Sequence, residues 1–315
     1  MNVFENRRIL ITGGFGFIGS HLVKRLLKAN SEIYIITMPD TNKFRLFDKL
    51  DNIVTYEADI GDSLMIGPII KKINPDYVFH LAGYGVDSAH TDYERATTTN
   101  VLGSVNIFKS LFDTDCKKFI NMGTCSEYGN SNTSEDSPPA PVNIYGSTKA
   151  ASTLILHQIA KENNISIATL RPFGVFGEGE EPHKIISYVI LNLLKDNDVI
   201  LTQCEQYRDY CYVENIIDAM LLACEKSNIT NEIFNVASGE LHPLRYYVDL
   251  IYKMIGSNRK LIYGGMPYRK TELWNPKADI NKINSMLEWE PKVPLEEGMS
   301  RTITWYRSNI DKYVF

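Results

Sequence analysis

A tyrosine and a lysine four residues apart have the clearest potential for chemistry in this sequence. Tyr145 and Lys149 stand at the start of a predicted helix, where residues i and i+4 share one face. A free tyrosine has a pKa near ~10, and a cation ~4 Å away at an effective dielectric of ~20 is worth about 4 kcal/mol, or about three pKa units. We therefore expect Lys149 to lower the pKa of the Tyr145 phenol towards neutrality, where it can exchange a proton with an alcohol or a ketone. The alternative is an ordinary solvated helix face.

A threonine supplies a second candidate group for the same chemistry. Thr124 follows a predicted strand in the segment MGTCSEYG. Ligands of open α/β sheets bind beyond the carboxyl ends of the strands. The Thr124 hydroxyl can therefore hydrogen-bond a reacting oxygen while Tyr145 transfers the proton. The alternative is a threonine that only caps a turn.

A glycine-rich segment after the first predicted strand indicates a dinucleotide site. It fits G-x-G-x-x-G, with one more glycine in front, and it opens a predicted helix. Glycines there turn the chain tightly and let the backbone approach a pyrophosphate, while the helix N-terminus offers free N–H groups. The residues concerned are Gly13, Gly14, Phe15, Gly16, Phe17, Ile18 and Gly19. The alternative is a β–α turn that binds no ligand.

The residue expected to bind the adenosine ribose is not acidic. An Asp or Glu should stand about 20 residues further on, at the end of the second strand, but Thr37 occupies that place. Arg45, in the following loop, can pair with a 2′-phosphate unless it is only a solvated loop charge. The sequence therefore favours NADP, with NAD as the alternative. Asp59, at the end of the third strand, could face the adenine or cap a helix.

The elements that must position these groups alternate between short apolar strands and helices. The predicted strands of the first half are RRILITGG, EIYIIT, NIVTYEAD, DYVFHLAG and KKFINMG, and the predicted helices span 17–30, 64–73, 93–112 and 144–163. This repeat predicts a parallel sheet covered by helices on both faces. Beyond it, helices at 184–194, 216–226, 244–255 and 295–308 are mixed with short strands. We expect an α/β fold: a Rossmann-type doubly wound sheet over 1–172, and a smaller mixed C-terminal substrate lobe over 173–315 with segments that return to the core.

Composition excludes several other classes of protein. The chain has 315 residues, of which 44% are hydrophobic, as in folded globular proteins, and no apolar run approaches the ~18 residues of a spanning helix. A net charge of −5 disfavours general nucleic-acid binding, and the five cysteines lack zinc-ligand spacing. The first residues do not resemble a signal peptide. We expect a cytoplasmic protein with free thiols, no metal and no membrane partner.

Taken together, the motifs resemble one family. Those that carry the likeness, in chain order, are TGGFGFIGS, HLAG, TNVLGS, GTCSEYG, YGSTK, RPFGVFG and YRDYCYV, and the tail LEWEPKVPLEEGMSRTITWY adds to it. The set resembles the extended short-chain dehydrogenase/reductases of the NAD-dependent epimerase/dehydratase type, which act on nucleotide sugars. The resemblance implies a nucleotide-diphosphate-sugar substrate. It also implies a homodimer in which the helices at 93–112 and 144–163 form a four-helix bundle.

The resemblance also implies roles for individual residues. Tyr145 would be the acid/base, Lys149 its activator and a ligand of the nicotinamide ribose, and Thr124 the partner of the sugar oxygen. Arg208 would hold the substrate diphosphate, unless it is a surface salt bridge, and Arg269 would be a second phosphate or ribose contact. The other expected contacts are Cys125 and Ser126 for the sugar, and Ile60, Leu81, Ala82, Gly83 and Asn100 for the cofactor or its support.

Three reactions are compatible with these residues. Family members that act as 4,6-dehydratases carry Asp-Glu directly after the threonine, where this chain has Cys125 and Ser126, so this reaction is disfavoured. Cys125 is either an extra acid/base or, as we expect, part of the wall of the sugar pocket.

The choice between the other two reactions depends on the cofactor. A 4-epimerase oxidises the sugar and reduces the rotated ketone with NAD that stays bound, and it usually has the acidic ribose clamp that Thr37 lacks. A reductase of a 4-keto-6-deoxy sugar nucleotide uses exchanging NADPH and fits both Thr37 and Arg45. We therefore favour the reductase, with the 4-epimerase as the alternative. A non-catalytic dinucleotide sensor is disfavoured because Tyr145 and Lys149 are both present.

Overall fold

Seven parallel strands form the central sheet of the protein. The structure is a computed structural model, and it describes residues 3–86 and 92–313. In chain order the strands are β1 (Arg8–Thr12), β2 (Glu32–Thr37), β3 (Ile53–Glu57), β4 (Tyr77–His80), β5 (Lys118–Met122), β6 (Ile167–Pro172), β7 (Gly174–Phe176), β8 (Val199–Ile200), β9 (Tyr207–Arg208), β10 (Tyr210–Tyr212), β11 (Glu232–Val236), β12 (His242–Pro243) and β13 (Leu261–Ile262). The order in the main sheet is β11-β6-β5-β4-β1-β2-β3. The predicted Rossmann-type parallel sheet is thereby confirmed.

Ten α-helices are described around the sheet. They are α1 (Phe17–Lys28), α2 (Ser63–Ile73), α3 (Tyr93–Thr97), α4 (Ser104–Lys109), α5 (Ile144–Asn163), α6 (Ile185–Leu194), α7 (Val213–Glu225), α8 (Leu244–Ile255), α9 (Asn281–Leu287) and α10 (Leu295–Ser308). Short 3₁₀ helices lie at Phe44–Asn52, Cys125–Glu127 and Ile310–Lys312. Helix α5 has the predicted bounds because each end carries a local signal. The side chain of Asn143 accepts a hydrogen bond from Gly146 N–H (2.8 Å), and Asn164 adopts the left-handed conformation that ends the helix.

The helix predicted over 93–112 differs from the structure. Helix α3 continues through a π-helical segment, Thr98–Gly103, into α4, which ends at Lys109. Gly103 lies in this segment, where a Cβ would meet Ile60 Cγ1 at 2.6 Å, so only a glycine lets the helix approach Ile60 this closely. The π segment also contains Asn100, which is fully buried. Single π turns inside helices are frequent at functional sites.

Apolar side chains pack on both faces of the sheet and in a further cluster. Helices α1 and α7 contribute to one face, with Leu22 and Met220 among the buried residues, and α2 and α5 contribute to the other. A separate cluster joins α6, α8 and α10. The stretch after residue 172 thus contributes both to the sheet, through β11, and to this cluster. The proposed division at 172 stays a prediction.

The described residues were also predicted to contain no membrane-spanning helix, no metal site and only free thiols. None of the helices within 3–86 and 92–313 is long and apolar enough to span a membrane. The same residues contain no cluster of three or more His, Cys, Asp or Glu side chains arranged to hold a metal ion. All five cysteines have free thiols, as predicted.

Candidate active site

A cavity of about 1210 Å³ opens beyond the carboxyl ends of β1, β4, β5 and β6. Typical small-molecule pockets measure ~300–1,000 Å³, so this cavity is large enough for more than one ligand. Thirteen of the residues predicted from the sequence line it: Gly13, Gly16, Phe17, Ile18, Gly19, Leu81, Gly83, Thr124, Cys125, Ser126, Tyr145, Arg208 and Arg269. The fold therefore brings the glycine-rich loop, the candidate acid/base and both predicted phosphate ligands to one cavity.

The glycine-rich loop forms a cradle that no larger residue could form. Gly13 has φ +71°, and a Cβ there would lie 2.8 Å from Ala82 N. A Cβ on Gly19 would collide with the carbonyl oxygen of Gly13. The loop leads directly into α1, whose first turn contains no acidic residue. This bare backbone at a helix N-terminus fits the pyrophosphate of a dinucleotide.

Several other predicted cofactor residues are not part of the cavity lining. Gly14 packs against the Ile35 side chain, Phe15 and Ile60 are buried in the core, and Ala82 N–H donates to Thr12 Oγ1 (3.2 Å). Thr37 Oγ1 donates to Thr41 Oγ1 (2.7 Å), and Asp59 Oδ1 accepts from Gly61 N–H (2.8 Å). The helix cap that was the alternative for Asp59 belongs to Asp62, which accepts from the first N–H groups of α2.

Arg45 is committed to protein partners. Its side chain is 7% exposed. It donates from Nε to Gly179 O (2.7 Å), from Nη1 to Phe15 O (3.3 Å) and from Nη2 to Glu181 Oε1 (2.6 Å). The guanidinium therefore joins Phe15 of the glycine-rich loop to Gly179, which lies 134 positions after Arg45 in the chain. It is not free to receive a 2′-phosphate without losing these bonds.

The phenol of Tyr145 lies next to Thr124. Tyr145 lines the cavity, and hydrogen bonding from Thr124 favours its ionised form. Burial outweighs this effect and raises the pKa of Tyr145 well above its ordinary value, with Cys125 and Glu127 adding to the rise. The sequence predicted that Lys149 would lower this pKa, and that prediction is wrong, because the protein's own groups together raise it. The reason is that i,i+4 spacing brings the two side chains to one helix face but does not reveal how little water reaches them.

Lys149 is buried one turn along α5. Its side chain is 3% exposed, and burial lowers its pKa to about 8, against the attraction of Glu127. The preceding residue, Thr148, is tied to the π segment because Asn100 Nδ2 donates to Thr148 Oγ1 (2.9 Å). Asn100 also accepts from Tyr84 N–H (2.7 Å) and donates to Tyr84 O (2.8 Å). Asn100 thus links the π segment to α5 and to Tyr84, and its role as a support beneath the site stays a prediction.

The far end of the cavity carries arginines and a carboxylate. Arg208 donates to Tyr207 O (2.6 Å) and Leu273 O (2.5 Å), and it pairs with Glu272, which also lines the cavity. Arg269 stands three residues before Glu272 on the same lining segment. Close by in the wall, burial raises the pKa of the Cys125 thiol to about 11, so this thiol stays protonated at neutral pH. Arg208 thus forms a salt bridge, which was the alternative to its role in holding a diphosphate; that role, and the place of Cys125 in the wall of a sugar pocket, stay predictions.

Sequence reasoning missed two groups of the site. Glu127 is fully buried and accepts from Arg171 Nε (2.9 Å). The pattern Thr124-x-x-Glu127 matches a capping box, and the structure forms one, so the sequence did carry a signal. Glu180 lines the cavity, accepts from Ser187 Oγ (3.1 Å), and burial raises its pKa to about 8. No local pattern marks Glu180.

Comparison with known proteins agrees with the fold. Residues 9–237 match the NAD dependent epimerase/dehydratase family. The chain therefore belongs to this family, and the resemblance predicted from the motifs is confirmed. It is an enzyme of the nucleotide-sugar epimerase/dehydratase type.

Individual relatives cover nearly the whole chain. A putative UDP-glucose 4-epimerase of Methanocaldococcus jannaschii is 30% identical, over 96% of this chain and 99% of its own. The structure of a UDP-glucose 4-epimerase with UDP-glucose, from Thermotoga maritima, superposes with a TM-score of 0.89 at 30% identity, covering 96% of this chain and 99% of that one. A Thermus thermophilus UDP-glucose 4-epimerase in complex with NAD gives a TM-score of 0.86 at 26% identity, over 95% and 99%.

Proposed function

We propose that this protein is an NAD-dependent 4-epimerase of a nucleotide sugar. The observation that carries the choice is Arg45. The preference for NADPH, and with it the reductase, depended on the non-acidic Thr37 and on a free arginine near the ribose; Thr37 remains, but the Arg45 guanidinium is bound to Phe15 O, Gly179 O and Glu181. The full-length similarity to 4-epimerases supports the same choice. The NADPH-dependent reductase stays the alternative prediction, and the experiment below distinguishes it from the epimerase.

The residues that line the cavity suggest a separate role for each group in the reaction. The bound dinucleotide supplies the hydride acceptor and donor, and the cradle of Gly13, Gly16 and Gly19 is where its pyrophosphate fits. Tyr145 takes the proton of the sugar hydroxyl and later returns it to the ketone oxygen. Thr124 hydrogen-bonds the same oxygen. Lys149 binds the ribose of the nicotinamide, the other role that the resemblance implied for it.

The substrate's diphosphate belongs at the arginine end. Arg208 and Arg269 line the cavity together, and guanidinium groups bind phosphate oxygens through paired hydrogen bonds. Glu272, which now pairs with Arg208, offers a carboxylate for ribose hydroxyls once a diphosphate takes over the arginine. The sugar then lies between this end and Tyr145, against Cys125 and the adjoining wall.

Cofactor content and product balance test the proposal together. We expect NAD, rather than NADP, to remain bound to the purified protein through gel filtration and to be released only on denaturation. Offered nucleoside-diphosphate hexoses, the protein should equilibrate the two C4 epimers without net consumption of free NAD(P)H. A deuterium label at C4 should stay in the product, because the hydride returns to the carbon that lost it.

The contrary results are equally specific. If the protein binds NADP and consumes NADPH in proportion to added 4-keto-6-deoxy sugar nucleotide, the reductase is correct and the epimerase is not. If solvent hydrogen replaces the C4 label, the proton and hydride do not follow the proposed path. Mass spectrometry of the released nucleotide and of the sugar product reads both outcomes.

We further propose that the protein is a homodimer through the two long helices. Helices α3 and α4, with the π segment, pack beside α5, and apolar side chains on this pair stay exposed, including Leu102 at 52% and Leu154 at 57%. A second copy of the same pair would cover them as a four-helix bundle. This arrangement follows the family resemblance stated above.

The substitution Leu154→Glu should convert the dimer into a monomer, because it places a charge in the covered apolar face. Light scattering after gel filtration would give the mass. Leu64→Glu is the matched control, since Leu64 on α2 is 86% exposed and lies outside the helix pair. A wild-type monomer, or an equal loss of mass in both variants, would contradict the proposed interface.

A further inference from the structure

A fully buried carboxylate lies directly behind the candidate catalytic groups. Glu127 ends the 3₁₀ turn that follows β5, and it has no solvent exposure. Its Oε1 accepts from Thr124 N–H (3.0 Å) and from Thr153 Oγ1 (3.3 Å), and its Oε2 accepts from Arg171 Nε (2.9 Å). One side chain therefore connects the catalytic turn, helix α5 and strand β6.

The chain is shaped to admit this carboxylate. A Cβ on Gly123 would lie 2.6 Å from Glu127 Oε1, so a side chain at that position would push the carboxylate away. Glu127 also completes a reciprocal cap, because Ser126 N–H donates to Thr124 Oγ1 (3.2 Å) while Thr124 N–H donates to Glu127. The backbone of Thr124 is thus fixed on both sides, and with it the direction of the hydroxyl that meets Tyr145.

The charges around Glu127 give it a second role. Two buried cations face it, Arg171 at 2% exposure and Lys149 at 3%. Arg171 is paired with Glu127 directly, whereas the attraction of Glu127 opposes the effect of burial on Lys149 and raises the pKa of that lysine. The same carboxylate raises the pKa of Tyr145.

The other titratable groups nearby do not supply this charge. Burial and the proximity of Lys149 lower the pKa of His80 to about 3, and burial lowers that of His157, beside Arg171, to about 4. Burial raises the pKa of Cys125 to about 11 and that of Tyr128 to about 12. All four are neutral at pH 7, so Glu127 is the anion that acts on Tyr145 and Lys149 from inside the protein.

We propose that Glu127 is a positioning residue for proton transfer, which orients Thr124 and places a buried negative charge, held by Arg171, behind the catalytic groups. The inference rests on the proposed catalytic function of Tyr145. Glu127 does not line the cavity, so it acts through its neighbours and not on the substrate.

The substitution Glu127→Gln tests the charge with little change of shape. The amide keeps an oxygen for Thr124 N–H but carries no charge. Removing an anion lowers the pKa of both Tyr145 and Lys149. Loss of the Lys149 proton sets the alkaline limb of the kcat profile. We expect the alkaline limb to move to lower pH by about one unit, the scale of one nearby buried charge, with kcat reduced about tenfold and KM changed less than about twofold.

Two further variants keep the test decisive. Glu127→Asp retains the charge but draws it away from Thr124, so we expect wild-type pH limits with a reduced kcat. Asp76→Asn is the matched control, because Asp76 is also a mostly buried carboxylate, paired with Arg8, and it lies at the amino ends of the central strands β4 and β1, away from the cavity. It should lower the unfolding midpoint and leave the pH limits unchanged.

The outcomes separate this inference from the proposed function. A folded Glu127→Gln protein with wild-type pH limits, a shift of equal size in Asp76→Asn, or a large rise of KM in place of a lower kcat would overturn the role of Glu127. If Glu127→Gln does not fold, the Asp variant decides: wild-type kcat there overturns the positioning role. Activity that survives Tyr145→Phe overturns the proposed function instead.

Discussion

Tyr145→Phe should lower turnover by a factor of about 10²–10⁴, the range that general acid–base groups contribute, while the protein keeps its fold and its bound dinucleotide. The change removes one oxygen from a side chain that lines the cavity beside Thr124. The ring that packs against Gly85, where a Cβ would lie 3.5 Å from Tyr145 Cβ, remains in place. Turnover measured at saturating substrate and the nucleotide released on denaturation test both parts of the prediction.

Tyr188→Phe is the matched control for this loss. Tyr188 lies on α6 outside the cavity lining, and its hydroxyl donates to the carbonyl of Ile200 (3.4 Å). Removal of the same atom there should leave turnover within about twofold of wild type, a change of ~0.4 kcal/mol in the barrier. If both variants lose activity equally, or if neither does, Tyr145 is not the proton-transfer group.

The elements with strong local end signals could be predicted from the sequence. Helix α8 was predicted at its observed bounds because Pro243 precedes it and Gly256, with φ +71°, ends it. Helix α9 was missed, since its seven residues carry too little periodic pattern. The two-residue strands β9 and β12 pair with each other through Arg208 and His242, which are far apart in sequence. No local sequence signal marks such contacts.

The site was predicted where spacing determines proximity and was missed where burial decides the chemistry. Motif positions brought Tyr145, Thr124 and the glycine cradle to one cavity correctly. The pKa of Tyr145 is raised, whereas the sequence predicted that it would be lowered. The reason is that the burial of the phenol depends on all the elements packed around it and not only on helix α5. Arg45 seemed free for the same reason, since its partners Gly179 and Glu181 lie far away in sequence.

Arg171 and Glu127 form a buried ion pair behind the candidate active site. Arg171 and Glu127 have side-chain exposures of 2% and 0%. Removing one member of such a pair leaves a buried charge without its partner, which costs about 3–5 kcal/mol, whereas replacing both by apolar groups is often neutral. Arg171 also donates from Nη1 to Tyr128 Oη (2.8 Å), which in turn donates to Asn235 Oδ1 (2.9 Å), so its loss loosens the contact with β11 as well.

Arg171→Met should therefore lower the free energy of unfolding by about 3–5 kcal/mol, measured by urea denaturation with bound nucleotide held constant. The double variant Glu127→Met with Arg171→Met should recover much of this loss, because no unpaired charge remains in the core. Arg301→Met is the control: its pair with Glu214 (3.2 Å) is 43% and 46% exposed, and its loss should change stability little. Strictly additive losses in the double variant, or equal losses for Arg171→Met and Arg301→Met, would show that burial of the Glu127–Arg171 pair does not govern its energetics.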